Sequence, residues 1–111
     1  MIEKTVLDYL AGELAVPVYM EIPAEATKPY VVIEKTGGTI RDFIKSTAVT
    51  IQSYADTMYE ASLLNENVKL AMASITSVAS ITDVDLNADT NYTDTEKKGY
   101  RYQSVFYVTH Y

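Results

Sequence analysis

Six oxygen-bearing side chains, Asp83, Asp85, Asn87, Asp89, Asn91 and Asp94, occupy the first, third, fifth, seventh, ninth and twelfth positions of one stretch. That is the ligand spacing of a calcium-binding loop. The stretch departs from the pattern twice. Its sixth position is Ala88, where glycine permits the sharp turn, and its twelfth is Asp94, which reaches less far than glutamate for bidentate binding. No helical pattern flanks it. Alternation of Val84 and Leu86 with Asp83 and Asp85 is also what a strand with one wet face produces. The stretch therefore reads as a solvated strand running into a loop, and neither a metal nor a cofactor is expected.

The remaining chemistry-bearing residues point the same way. His110 is the single histidine, so a Ser-His-Asp arrangement would have to use it as base, with no nucleophile or acid marked by spacing. Near the end of a strand it reads as an ordinary half-exposed residue. Asn91-Tyr92-Thr93 matches a glycosylation acceptor, and Gly37-Gly38 is too short for a phosphate-cradling loop and reads as a turn. Glu60 and Glu66 fall on a helix face in water. Cysteine is absent, which removes disulfides, thiolate metal sites and thiol nucleophiles and fits a reducing compartment. No catalytic residue is expected, and the chain does not read as an enzyme.

Composition narrows the partners. Nine basic residues against fifteen acidic ones leave a net charge of −6. Sequence-independent nucleic-acid binding needs clustered cations, and here only Lys97 and Lys98 are adjacent. Tight DNA or RNA binding is not expected. No apolar run approaches the roughly 18 residues of a membrane span, and MIEKTVLDYL lacks the charged and apolar regions of a secretory signal. Ten tyrosines accompany two phenylalanines and no tryptophan. Tyrosine offers stiff contact area with a polar tip and is favoured where surfaces meet. Half-exposed strand faces would use it equally well.

The element that must position everything else runs from Thr57 to about Ser77. Ala61, Leu64, Val68, Ala71, Met72 and Ile75 make one apolar helical stripe, with Asn65, Glu66, Asn67 and Lys69 turned to water. Thr57 followed by Glu60 reads as a capping box. About 20 residues at 1.5 Å each give a rod of roughly 30 Å, enough to cross four or five strands. A first helix is expected over 2–14, with Ile2, Val6, Tyr9, Leu10 and Leu14 on one face and Pro17 beyond its end. Short strands are expected at 18–22 and 30–35, the latter ending in a turn at Thr36 to Thr39, with 40–45 extending a hairpin or bulge. A strand follows at 46–55, with Ala48, Thr50, Gln52 and Tyr54 on one face. After the long helix come an extended 78–86, a polar loop over 87–98 and a closing strand over 99–111. Aromatic residues on both faces of that last strand imply that both are covered. The whole is one α+β domain over 1–111: a mainly antiparallel sheet of four to five strands packed by the long helix and the N-terminal helix.

Three segments, VPVYMEIPAEATKPYVVIEKTGG, STAVTIQSYADTMYEASLLNENVKLAM and YRYQSVFYVTHY, together resemble the tail-terminator proteins of long-tailed bacteriophages, also called tail-completion or head-to-tail joining proteins. The first is similar to that family's proline-bearing strand and glycine-ended hydrophobic strand. The second resembles its strand leading into the long helix, and the third its closing strand. The likeness covers 16–76 and 99–111. It implies a structural virion protein of the tail-neck region, assembled in the host cytoplasm as a homo-oligomeric ring, a hexamer in that family. Such a ring caps the tail tube, ends tube polymerisation and joins the head connector or head-completion protein. DNA would pass through its channel without specific binding, helped by the negative charge. On that reading function lies on surfaces. Gly37, Gly38 and Arg41 in one loop, and Asp89, Tyr92, Lys97 and Lys98 in the other, are candidates for tube or connector contacts. Tyr100, Tyr102 and Tyr107 are candidates for subunit packing. Another phage neck or minor tail component, or a small cytoplasmic module binding a ligand in a sheet groove, are the competing readings.

Overall fold

In a computed structural model, residues 1–24, 27–41, 44–93 and 99–111 are described, Arg41 by its backbone alone. The chain folds as α1 (Ile2–Glu13), β1 (Val18–Tyr19), β2 (Tyr30–Arg41), β3 (Ile44–Tyr54), α2 (Met58–Ala73), β4 (Ile81–Asn91) and β5 (Arg101–His110). The strands form one five-stranded sheet in the order β1-β2-β3-β5-β4. All pairs are antiparallel except β1 with β2. Both helices pack on one side, giving the expected α+β fold.

The long helix forms where its stripe requires. Thr57 Oγ1 accepts from the Glu60 amide at 3.1 Å, which satisfies a free donor of the first turn. Ala61, Leu64, Val68 and Met72 are buried, with α2 lying over Val49 and Ile51 of β3 and Phe106 and Val108 of β5, while α1 lies over Val31 and Ile33 of β2 in the same core. The helix stops at Ala73, and Ile75–Ser77 is a separate 3-10 turn that still delivers Ile75 to the core. In α1, Ile2, Val6 and Leu10 are buried, while Tyr9 and Leu14 pack against the same core from its margin. The Tyr9 hydroxyl donates to the Ala71 carbonyl at 2.7 Å and ties the helices together.

Several expectations need correction. Gly37 and Gly38 are not in a turn: they pair with Ala48 and Thr47 inside a longer β2, and neither has a positive φ. A bulge between Lys35 and Gly37 absorbs the one-residue offset. The pairing of β2 with β3 runs as far as Arg41 with Ile44, and residues 42–43 lie outside the described residues. The first short strand covers two residues only. Conversely, 87–91 is strand rather than loop, because Ala88 to Asn91 continue the ladder with Val105 to Tyr102. Val78, Ala79 and Ser80 precede that strand rather than belonging to it. Asn65 is buried, not solvated, since Asp89 from β4 supplies a partner for it. His110 is likewise buried, its Nε2 2.7 Å from Thr47 Oγ1.

Of the two covers expected for the last strand, the helices supply one. Ser104, Phe106, Val108 and His110 lie under the helices. On the opposite face of the sheet no helix packs among the described residues, and Tyr107 is exposed there. The sheet outruns its cover at one end as well. The last pair of β3 with β5 is Lys45 with His110; Ile40 is level with it through its own pair with Lys45, and among the described residues Arg41 and Ile44 extend beyond it. The molecule is correspondingly long, 46 Å by 24 Å by 24 Å.

Candidate interaction surfaces

Strand pairing decides which of the chemistry-bearing residues can meet. Asp83 and Asp85 lie opposite Thr109 and Tyr107, whereas Asp89 lies opposite Ser104. The first two therefore face away from α2 and the third faces it. The calcium-like spacing is thus divided between two sides of a strand, and its last member, Asp94, lies outside the described residues. Among the described residues no three His, Cys, Asp or Glu side chains are placed to share a metal ion.

Asp89 instead fastens β4 to α2. Its carboxylate accepts from Asn65 Nδ2 and from Lys69 Nζ, each at 2.7 Å, and Lys69 also pairs with Glu66 at 2.6 Å. Burial alone would push the Asp89 carboxyl up. The Lys69 and Asn65 hydrogen bonds and the Lys69 charge together outweigh it and hold the carboxyl below its usual range. Lys69 is raised in turn, chiefly by its bonds to Asp89 and Glu66.

The uncovered sheet face carries an aromatic ladder at the end far from the hairpin tip. Tyr19 meets Tyr30 edge-on with ring centroids 5.9 Å apart, and Tyr30 stacks on Tyr54 at 4.9 Å. The Arg101 guanidinium lies 5.7 Å from the ring centroids of both Tyr54 and Tyr92, and its Nη1 donates to the Tyr54 hydroxyl at 3.1 Å. That hydroxyl donates to Gln52. Burial, then the neighbouring Tyr54 and Tyr19, push the Tyr30 phenol up. Tyr30 and Tyr54 are buried by this packing, so this end of the face is closed by the chain itself.

Of the residues singled out in the sequence, Gly37 and Gly38 lie in the β2–β3 ladder, level with Tyr107 and Val108 of β5, and Arg41 ends β2. Tyr92 packs on Arg101. Tyr100 is half-buried, its carbonyl accepting from the Ala55 amide. Tyr102 is half-buried opposite Ser53 and Asn91, and Tyr107 is exposed between Ala48 and Asp85. Lys97 and Lys98 lie outside the described residues. The described positions among these do not form one patch.

A surface that the sequence reading missed does form. Tyr59, Leu63, Glu66 and Leu70 follow at intervals of four, three and four along α2, which places them in one line opposite the buried stripe. Tyr59 is 74% exposed and Leu70 71%. The signal was present as a second apolar periodicity in the same helix, masked by the stronger first. The hairpin supplies a second exposed apolar element, Ile40 at 72% exposure. Beneath it, between the hairpin and the first turn of α1, is an open groove of about 630 Å³ lined by Ile40, Gly38, Lys35, Lys45, Thr47 and His110 among others. Among the described residues no helix is long and apolar enough to cross a membrane. No protein-family model matches the sequence, and no curated protein matches it significantly.

Proposed function

We propose that this chain is a structural subunit that closes into a ring on the end of a long-tailed phage's tail tube. There it ends tube growth and joins the tail to the head connector. The observation that carries the reading is apolar surface left outside the core, on the back of α2 and at the overhanging hairpin, in a domain whose chemistry-bearing residues do not converge. Large apolar residues in exposed lines mark sites of protein contact. The sequence resemblance to tail terminators adds the kind of partner: copies of itself, a tube end and a connector. A net charge of −6 suits a bore through which DNA passes without adhering.

Tube-length measurement tests this. Added to polymerising tube protein from the same tail, the chain is expected to give short tubes with a ring at one end in negative-stain images. Unaltered tube lengths with bare ends would overturn the reading. Reversing the charge of Lys97 and Lys98 together is expected to weaken capping without altering the fold.

A further inference from the structure

Gly37 and Gly38 sit mid-strand, where glycine weakens pairing and where its presence often marks the close approach of another molecule's surface. Gly37 adjoins the bulge of β2, a usual place for a strand glycine, whereas nothing in the described fold requires Gly38. Neither has a positive φ. A Cβ on Gly37 would come no closer than 4.0 Å to its neighbour, and one on Gly38 would make ordinary contacts of 3.5 Å and longer with Ser46, Lys35 and Thr47. The Gly38 Cβ would project into the groove beside α1, since two of those neighbours line it. The groove is thus kept open at a residue where the chain itself has room for a side chain.

We propose that the outward line of α2, Tyr59, Leu63 and Leu70, seats in this groove on a second copy of the chain, with Ile40 of the hairpin closing over it. Charge points to a second copy. The groove side of the hairpin carries Lys35 and Lys45, against Glu3 on α1, while the exposed line of α2 is flanked by Glu60 and contains Glu66, which Lys69 already pairs. Strand pairing is the other way copies could join, and both sheet edges are blunted against it. One edge is the two-residue β1 and, past it, the part of β2 bulged at Thr36; the other, β4, is bulged twice and carries Asp83 and Asp85. The contact is heterologous: each copy offers one ridge and one groove, so successive copies generate a ring when the rotation closes. It deepens the assembly reading above and rests on it for the closure of the ring.

The lack of cysteine makes the test direct. Ile40→Cys and Leu70→Cys together in one chain, treated with a short bis-maleimide, are expected to give a ladder of covalent multimers. Either single variant alone is expected to stay monomeric, and an equimolar mixture of the two to stop at dimer. Gly38→Val is expected to keep the melting temperature and yet weaken self-association in sedimentation equilibrium at least about tenfold, the effect of a blocked contact centre. A wild-type chain that stays monomeric at the highest soluble concentration, dimers from a single variant, or an unweakened Gly38→Val would each overturn the contact. Rings still capping tubes under those outcomes would leave the tail role standing, whereas a cross-linked ladder without capping would remove the tail role and keep the contact.

Discussion

Asp89 illustrates how one side chain can look like a ligand in sequence and act as a fastener in the fold. Its spacing with Asp83 and Asp85 suits a cation, but the ladder turns it toward Lys69 and the buried Asn65. Replacing it by alanine leaves the Asn65 amide buried without its acceptor, so Asp89→Ala is expected to cost about 1–3 kcal/mol by urea denaturation. The pH dependence follows from a folded-state carboxyl held below its ordinary value of 3.8. Its contribution is complete above that value and is lost as pH falls through the lower folded one. The stability difference between wild type and Asp89→Asn, measured by denaturation at several pH values, is therefore expected to be level near neutrality and to shrink below about pH 4. A difference that grew on acidification would contradict the assignment. Arg101 follows similar logic without titration, since its stacking between Tyr54 and Tyr92 needs three segments brought together by the sheet.

At the scale of elements, α2 does two jobs with one periodicity. Its buried line of Ala61, Leu64, Val68 and Met72 roofs β3, β5 and part of β4, and leaves β2 to α1. Met72 is fully buried, and Met72→Ala is expected to cost about 2–5 kcal/mol through lost transfer energy and an unfilled cavity. The cap is worth less: Thr57→Ala removes the acceptor for the Glu60 amide and is expected to cost about 1 kcal/mol. Thermal unfolding of the two variants ranks them, and equal losses would mean that packing on the sheet is not what holds the helix. Leu70→Ser, by contrast, is expected to leave the unfolding curve within about 0.5 kcal/mol, because that side chain is exposed.

The whole molecule is a sheet with one roofed face, two unpaired edges and a hairpin longer than its cover. Such edges invite uncontrolled pairing, and bulges and charges are the usual defence. Asp83 and Asp85 are exposed on edge strand β4. Asp83→Val with Asp85→Val is expected to leave the monomer folded but to make its light scattering rise steeply with concentration. A double variant as soluble as wild type would show that the bulges alone protect this edge. Defended edges beside undefended apolar ridges are consistent with a protein that associates through chosen surfaces and not through its strands.

Local rules were enough for much of this. Period three-to-four apolar spacing and a threonine cap marked α2 to within a turn, and β-branched runs marked the centres of β2, β3 and β5, because each signal acts between residues near in sequence. The sequence alone also determined the α+β class. Only the tertiary structure decided the rest, for contacts between distant residues obey no local spacing. Ser46 to Ala48 on β3 draw Gly37, Gly38 and Thr39 into the ladder where glycines would otherwise turn. Tyr102 to Val105 do the same for polar 88–91. Asn65 is buried because Asp89 arrives from 24 residues away, and Leu70 is exposed because the sheet can occupy only one side of a helix.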